Sequence, residues 1–372
     1  MVKPRILHLA SFIGNIGDNL SHLGLHQLIE SSLGIEPEPT EVEIRRTYDN
    51  YQLDDQLSLG GEFVEFCNSF DLVVFGGGNL LEPFELTGSG TRLPLELKAL
   101  ENLRTPSLFA SVGMVPRGSV REDTLEKYSA TLEYLTNHPS IAVIPRNDGS
   151  TSWLRGIEPG LADRLVESLD AAFFAPPAIS ALDKSQRKSI VAFNVAPDQI
   201  RNLPGVRYAH VIEKIASLIM ERAITSDSEF VFVPHLHQDV KAFLDISELL
   251  PDFLVRSRFS LAKSLPGVRG ANLALQEYET ATEVWGMRFH SLIAGMISDK
   301  PLLPMVALDR VQFMLDSVEF AGPVVDFRLG GENSVQLASA RSAVRAEIEV
   351  INRKRLATSG RYASLLPELL ER

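Results

Sequence analysis

The chain of 372 residues contains one cysteine, Cys67, so it can form neither an intrachain disulfide nor a metal site built from several thiolates. Basic residues are scarce as well, since 36 Lys and Arg stand against 48 Asp and Glu, a formal net charge of -12. A general surface for nucleic acid or for an anionic membrane needs surplus positive charge, so both are disfavoured as partners. A local cationic pocket stays compatible with this balance.

Long apolar runs are missing too. No stretch reaches the roughly 18 apolar residues of a membrane-spanning helix, and the start, MVKPRILHLASF, lacks the apolar region and cleavage site of a secretory signal. We therefore expect a cytoplasmic protein, in a reducing compartment that suits a lone cysteine. Peripheral association with a substrate at the inner membrane would leave no such mark and stays open.

What the sequence does contain is a repeated order of short apolar run, glycine-bearing turn and helix. Runs of this length between helical stretches indicate parallel sheets covered on both faces. The predicted strands are residues 5–12, 41–46, 71–79, 106–113, 140–146, 189–197, 228–235, 282–287, 301–307 and 322–327. The predicted helices lie near 19–31, 210–223, 237–250, 290–299 and 308–317, with two more between 333 and 371.

The order restarts after residues 171–188, where a Pro pair and polar residues interrupt it. Because one core rarely organises a chain of this length, we predict an N-terminal domain over 1–175, a C-terminal domain over 188–330 and helices over 331–372 that pack back on them. The predicted fold class is α/β, with two Rossmann-like domains whose parallel sheets face a cleft. Ligands of such sheets bind beyond the carboxyl ends of the strands, so residues there are the site candidates.

The motif GNIGDN follows the first predicted strand and contains Asn15 and Asp18. Glycines allow a tight turn and a close ligand, and the amides at the following helix start favour an anion. The spacing is G-x-x-G without a third glycine, so it gives a nicotinamide cofactor little support. The alternative interpretation is that Asp18 or Asn19 caps the helix.

Two further motifs follow strands in the N-terminal half. FGGGN places Gly77, Gly78 and Asn79 at a strand end, where successive glycines indicate that the backbone must stay open; a plain tight turn is the alternative. IPRNDGS places Arg146 just past a strand and Ser150 at a helix start. Arginine holds a carboxylate or phosphate in a planar fork, and the alternative is a surface arginine beside an Asp.

The motif VPHLHQD contains His235, His237 and Asp239 after a strand of the C-terminal half. The HEXXH spacing is absent and no third ligand stands out, so we predict no metal site. We expect His235 to line the cleft. Asp239 would orient this histidine or cap the next helix.

In VWGMRFHSLIAGM, Arg288 and His290 lie where a buried strand meets a helix N-terminus, which itself favours an anion. An imidazole in that place can serve as a general acid or base. The alternative is that His290 caps the helix and Arg288 forms a structural ion pair. With Arg146 and His235, these residues predict a pocket for a small, doubly anionic ligand.

The order of these segments resembles the polysaccharide pyruvyl transferase family over about residues 11 to 310. The matching elements are GNIGD, GGGNLL, R-x-x-x-S at 146–150, the PH and D of 234–239, and G-x-R-x-HSLI followed by KP. The resemblance implies a fold similar to the GT-B glycosyltransferases. It also implies transfer of pyruvate from phosphoenolpyruvate to a sugar or lipid-linked glycan, usually as a cyclic ketal, without a metal or organic cofactor.

By this resemblance Arg146 and Arg288 would hold the donor, and Phe289 is a further substrate-binding candidate. His290 would be the general acid or base, and Asp18 a second catalytic candidate on the acceptor side. The further substrate-binding candidates are His235, Asn15, Gly77, Gly78, Asn79 and Ser150.

Two places depart from the family pattern. Asn147 stands where the family usually has Asp, and LLPMVALDRVQFM resembles a Tyr-Asp-x-Lys stretch only loosely, with Asp309 and Arg310 as the matching positions. These changes would alter the acceptor or abolish transfer. A nucleotide-sugar glycosyltransferase on the same fold and a non-catalytic sugar- or anion-binding relative remain alternatives. The acceptor sugar, the ketal stereochemistry and the oligomeric state do not follow from the sequence.

Overall fold

The computed structural model describes residues 3–48, 51, 54–116, 118–178, 189–328 and 343–371. The chain divides into two compact units. Unit 1 comprises Met1–Ile13, Ser21–Ala175 and Arg353–Arg372, and unit 2 comprises Gly14–Leu20 and Pro176–Asn352. Segment Gly14–Leu20 therefore groups with unit 2, although the predicted N-terminal domain includes it. The predicted boundaries at 188 and at 330–331 lie outside the described residues.

Unit 1 contains a sheet of five parallel strands. They are β1 (Ile6–Ala10), β2 (Thr40–Glu43), β3 (Leu72–Gly78), β4 (Ser107–Val112) and β5 (Ile141–Pro145). Their order across the sheet is β2-β1-β3-β4-β5. The three central strands are buried along their whole length, as expected where helices cover both faces of a parallel sheet.

The helices of unit 1 pack their apolar sides on this sheet. They are α1 (Ile16–Leu33), whose first turn groups with unit 2, α2 (Gly61–Cys67), α3 (Leu97–Leu100), α4 (Glu122–Asn137), α5 (Ser150–Ile157) and α6 (Pro159–Ala162). Phe75 and Phe109 stack at a ring distance of 4.5 Å in the core. Cys67 lies in the same core, and burial raises the pKa of its thiol to about 12.

Unit 2 contains a sheet of six parallel strands. They are β6 (Ile190–Phe193), β7 (Glu229–Phe232), β8 (Phe259–Leu261), β9 (Glu283–Gly286), β10 (Leu302–Val306) and β11 (Val325–Asp326). Their order is β11-β10-β9-β6-β7-β8. The helices are α7 (Pro197–Ile200), α8 (Tyr208–Thr225), α9 (Asp239–Ser247), α10 (Asp252–Arg258), α11 (Gly267–Thr280), α12 (Phe289–Ile297) and α13 (Asp309–Ser317).

All ten predicted strands are present, and the five helices predicted before residue 318 are confirmed with small shifts at their ends. The prediction of two tail helices is wrong. A single helix, α14 (Ile348–Leu370), runs through Gly360, because a glycine costs a helix only about 1 kcal/mol relative to alanine. Residues 333–342 of that prediction lie outside the described part. None of the described helices is long and apolar enough to cross a membrane.

Candidate active site

The carboxyl end of β9 delivers Arg288 and His290 to the start of α12. Arg288 directly precedes this helix in an extended conformation, and His290 lies in its first turn. The side-chain oxygen of Asn194, just past the neighbouring strand β6, accepts hydrogen bonds from the backbone N–H groups of Met287 and Arg288 at 2.8 and 3.1 Å. Asn194 thereby fixes the turn that carries Arg288 and His290.

The guanidinium of Arg288 is buried, with 5% of the side chain exposed, and is paired with carboxylates. Its Nε donates to Asp239 at 2.8 Å, and its Nη2 donates to Asp198 at 2.7 Å and also to Asp239. Burial lowers the pKa of Arg288, but the two carboxylates outweigh it and raise the pKa overall. The ion-pair alternative therefore holds for Nε and Nη2, while Nη1 has no partner among the described residues.

Asp239 connects this arginine to the loop after β7. Its Oδ2 accepts hydrogen bonds from the backbone N–H groups of His235 and Leu236 at 2.9 and 3.0 Å. Asp239 is fully buried and begins α9. One carboxylate therefore fixes both the guanidinium of Arg288 and the backbone that carries His235.

His290 is 4% exposed and packs against the first turn of α1. A Cβ built on Gly17 would lie 2.8 Å from both Cβ and Cγ of His290, and closer still to Nδ1. Asn15 caps α1, since its Oδ1 accepts from the N–H of Gly17 at 3.0 Å and its carbonyl accepts from the N–H of Asp18 at 3.0 Å. The capping alternative therefore named the wrong residues, Asp18 and Asn19. Asp18 is half-buried in the first turn, and its catalytic role stays a prediction.

His235 is a buried imidazole, 2% exposed. Its Nε2 lies 2.7 Å from the hydroxyl of Tyr278 on α11, and its Nδ1 is buried without a hydrogen-bond partner among the described residues. Burial lowers the pKa of His235 well below its usual value, and the nearby charges of Arg288 and His290 lower it further. The ring is therefore neutral near pH 7.

In unit 1, Arg146 follows β5 and is 2% exposed. Its Nε donates to Asp148 at 2.8 Å, its Nη1 to Asp170 at 3.3 Å and its Nη2 to the side-chain oxygen of Asn79. The interpretation as a surface arginine is wrong, because two carboxylates and one amide surround a buried guanidinium. The predicted meeting of Arg146 with Arg288 stays a prediction.

The neighbours of Arg146 use their polar atoms within the same network. The hydroxyl of Ser150 accepts from the N–H of Met114 at 2.8 Å and donates to Asp148. The side-chain oxygen of Asn147 accepts from the N–H of Asp170 at 2.8 Å. Both residues therefore hold the loop after β5 in place, and a substrate contact from Ser150 would have to replace one of these bonds.

The three glycines at the end of β3 are glycine for different reasons. At Gly76 a Cβ would come within 2.7 Å of the carbonyl oxygen of Ala110, and Gly77 has a left-handed backbone with φ of 78°. The tight-turn alternative accounts for Gly77, whereas the close approach of strand β4 requires glycine at position 76. Around Gly78 nothing lies within 4 Å of an added Cβ, so neither space nor conformation demands glycine there.

Several residues of these clusters were missed in the sequence. Gly17 stands inside the motif GNIGDN and Asp198 shortly after a strand end, so a local signal existed for both. Asn194 directly follows β6, so its position at a strand end was a local signal as well. Tyr278 and Asp170 carry no local signal, because only the tertiary fold brings them to their partners. The described residues also include no group of three or more His, Cys, Asp or Glu that could hold a metal ion.

Two parallel α/β units with polar side chains at their strand ends define the GT-B fold class, and solved structures agree. The S. aureus MnaA-UDP co-structure has a TM-score of 0.52 at 12% identity, with 94% of each chain covered. A glycosyltransferase from Rickettsia africae ESF-5 has a TM-score of 0.52 at 11% identity, with 97% of this chain and 99% of that chain covered. UDP-GlcNAc 2-epimerase from Neisseria meningitidis bound to UDP-GlcNAc has a TM-score of 0.52 at 12% identity, covering 96% and 99%.

Comparison of the sequence with models of protein families identifies the family of the chain. The family model for polysaccharide pyruvyl transferase matches residues 15–308, and the chain belongs to this family. It is therefore a transferase of polysaccharide modification. No curated protein sequence matches the chain.

Proposed function

We propose that this transferase moves the pyruvyl group of phosphoenolpyruvate to two hydroxyls of a sugar in a polysaccharide or its precursor, with release of phosphate. The observation that carries the proposal is the pair Arg288 and His290 at the N-terminus of α12. A cation and an imidazole lie two residues apart there, on a turn fixed by Asn194 and Asp239. A charge clamp and a proton donor are what this reaction needs from a protein.

The donor carries a carboxylate and a phosphate. Arg288 would bind one of them, because Asp239 holds two of its nitrogens in a fixed orientation and its charge is retained. The N-terminus of α12, nine residues long, adds a favourable potential for an anion. Phe289, the first residue of the helix, would contact the apolar part of the donor.

The chemical step would use His290 as the general acid. It protonates the methylene carbon of the enol phosphate, which becomes a methyl group and leaves an oxocarbenium-like carbon. A sugar hydroxyl attacks this carbon and returns its proton to the base. The second hydroxyl then displaces phosphate and closes the ketal, and its proton leaves with the phosphate. Proton transfer by a positioned side chain is worth about 10² to 10⁴ in rate.

The acceptor sugar would bind at the turn of Gly78 and Asn79. The open space around Gly78 supports this assignment, because a backbone without a side chain lets a sugar approach closely. Gly77 shapes the turn through its left-handed backbone.

The proposal is tested by incubating the protein with phosphoenolpyruvate and glycans that carry neighbouring diols, and by following phosphate release. We expect His290→Gln to bind the donor within a few-fold of wild type but to release phosphate at least about 100 times more slowly, because only the proton donor is lost. No donor binding by wild type, or an equal rate in the variant, would overturn the proposal.

A nucleotide-sugar reaction is the competing outcome of the same test. The structures from S. aureus and N. meningitidis described above contain UDP and UDP-GlcNAc, but at 12% identity they share the fold alone with this chain. Thermal stabilisation of the protein by UDP or UDP-sugars, with none by phosphoenolpyruvate, would favour that alternative.

A further inference from the structure

Asp239 and Asp198 bind different edges of the Arg288 guanidinium. Asp239 takes the edge formed by Nε and Nη2, since its Oδ2 accepts from Nε at 2.8 Å and its Oδ1 accepts from Nη2. This pair of bonds uses one of the two hydrogens on Nη2. The other hydrogen donates to Oδ1 of Asp198 at 2.7 Å and belongs to the edge that Nη2 shares with Nη1. Asp198 therefore occupies half of the one edge at which Arg288 could still hold an anion by two bonds.

The two carboxylates are held to different degrees. Asp239 is fully buried, and it also accepts from the backbone N–H groups of His235 and Leu236 at 2.9 and 3.0 Å. The side chain of Asp198 is 24% exposed, and Arg288 is the only hydrogen-bond partner of its carboxylate in the described part of the chain. Moving Asp239 would break a buried ion pair, whereas Asp198 can turn into water at the small cost of a partly exposed one. Asp198 is thus the partner that Arg288 can exchange.

The position of Asp198 also shows that this edge of the guanidinium has room for an anionic group. A carboxylate already lies there at hydrogen-bond distance from Nη2, and its partial exposure opens the place to solvent. A ligand carboxylate or phosphate in the same place would accept from Nη1 and Nη2 together, two bonds where Asp198 accepts one. One anion would replace another, so the charge balance around Arg288 is kept. A neutral group would leave the guanidinium with less compensation than Asp198 gives it.

We propose that Asp198 is an internal competitor, which occupies the place of the ligand's anionic group on Arg288 in the free protein and moves into solvent when a carboxylate or phosphate binds. The inference rests on the proposed function for the identity of that ligand as phosphoenolpyruvate. Every anion must displace the same carboxylate, so Asp198 lowers all their affinities by one common factor. Simple anions, among them the released phosphate, are then held weakly, and a ligand with further contacts is favoured.

Asp198→Asn and Asp198→Ser test this role by calorimetric titration of inorganic phosphate and of phosphoenolpyruvate. Both variants remove the carboxylate, and serine is also the shorter side chain should asparagine keep a bond to Nη2. We expect either anion to bind at least about threefold more tightly than to wild type, by the same factor for both. Asp245→Asn is the matched control, because Asp245 is also 24% exposed but pairs with Lys241 at 2.7 Å. It should leave both affinities unchanged.

A crystal structure of wild type with bound phosphate tests the exchange directly. We expect phosphate oxygens on Nη1 and Nη2 of Arg288, and Asp198 turned out of hydrogen-bond range. Asp239 should keep both of its bonds. A carboxylate of Asp198 that stays on Nη2 in this complex would overturn the proposal.

The titrations separate this proposal from the proposed function. Equal or weaker binding by the Asp198 variants, or a gain for only one of two anions that wild type binds, would overturn the role of Asp198. Phosphoenolpyruvate would remain the donor as long as wild type binds it. Tighter binding of phosphate by the variants, with no binding of phosphoenolpyruvate to any of the proteins, would support the exchange and overturn the proposed donor. No binding of either anion to any of them would overturn both.

Discussion

Gly17 and His290 are packed so closely that the glycine cannot carry a side chain. A Cβ on Gly17 would lie 2.8 Å from two carbon atoms of the histidine, closer than Cβ contacts in real structures. The backbone of Gly17 is not left-handed, so space and not conformation demands glycine here. The imidazole of His290 therefore packs directly against the first turn of α1. This contact restricts the ring to a narrow range of positions.

Gly17→Ala is expected to displace the imidazole and reduce turnover by at least about tenfold, since a misplaced catalytic group is costly even when the shift is near 1 Å. Donor binding should change less than turnover. The same substitution should lower the free energy of unfolding by about 1 to 3 kcal/mol, the usual effect of overpacking. Steady-state kinetics and urea unfolding measure the two effects.

Gly360→Ala is the matched control for this substitution. Gly360 lies inside α14, and nothing stands within 4 Å of an added Cβ. Alanine is the better helix former, so the variant should keep full activity and gain up to about 1 kcal/mol in stability. If Gly17→Ala is as active as Gly360→Ala, the first turn of α1 does not position His290.

Asn147→Asp restores the residue that the family usually has, and we expect it to destabilise this chain. The side-chain oxygen of Asn147 accepts a hydrogen bond from the N–H of Asp170, a role that a carboxylate can fill. The change would, however, add a third carboxylate beside Asp148 and Asp170, which already share the one positive charge of Arg146. The expected loss is about 1 to 3 kcal/mol in urea unfolding, the range for substitutions that bury an unbalanced charge.

The control for this prediction is Asn137→Asp. Asn137 is exposed, and its side-chain oxygen accepts from Arg164 at 2.8 Å, so the new carboxylate stays in water beside a cation. Its effect should stay within about 0.5 kcal/mol. An Asn147→Asp protein as stable as wild type would mean that the network around Arg146 has room for another charge.

Three histidines of unit 1 form a buried cluster that makes the fold sensitive to acid. The ring of His8 on β1 lies 5.1 Å from that of His22 and 5.2 Å from that of His26, both on α1. Burial lowers the pKa of His8 well below 6.5, and the other two histidines lower it further; burial also lowers the pKa of His26. Below about pH 6.5 the unfolded chain therefore binds protons that the folded chain does not. The free energy of unfolding therefore decreases as the pH decreases.

His8→Phe should weaken this acid dependence. The stabilisation by neutral histidines is complete above about pH 6.5 and is lost as the pH falls towards the lower pKa of the folded state, so urea unfolding at pH 7.5 and pH 5.0 brackets the effect. The variant should lose less free energy of unfolding between these values than wild type does. His210→Asn, at an exposed position, should leave the difference unchanged. If His8→Phe loses as much free energy of unfolding as wild type between these pH values, the acid sensitivity does not come from His8.

The fold was predictable from the sequence because parallel strands buried on both faces read as apolar runs. The strand β8 escaped prediction because two of its three side chains are exposed, so no apolar run marks it. Helix α11 contains many polar residues, which hide its buried side. The tail was predicted as two helices, but a single helix runs from Ile348 to Leu370.

Only those site residues that directly follow a strand could be predicted from the sequence. Arg288, His290 and Arg146 stand in motifs directly after strands, so their places follow from local order. Their partners do not, because Asp239 and Asp170 come from other parts of the chain and reach the arginines only in the folded protein. The sequence therefore predicted a group of cations, and the structure shows each arginine already paired with carboxylates.

Because Arg288 is already paired with Asp239 and Asp198, its contribution to donor affinity must be measured directly. Calorimetric titration of phosphoenolpyruvate should show at least a tenfold lower affinity for Arg288→Ala than for wild type, about 1.4 kcal/mol or more. Arg288→Lys keeps a charge for Asp239 but loses the fork, and should fall in between. Asp198→Asn removes a competing carboxylate and should bind the donor at least as tightly as wild type. Equal affinity of wild type and Arg288→Ala, both shown to be folded, would contradict a donor site at the start of α12.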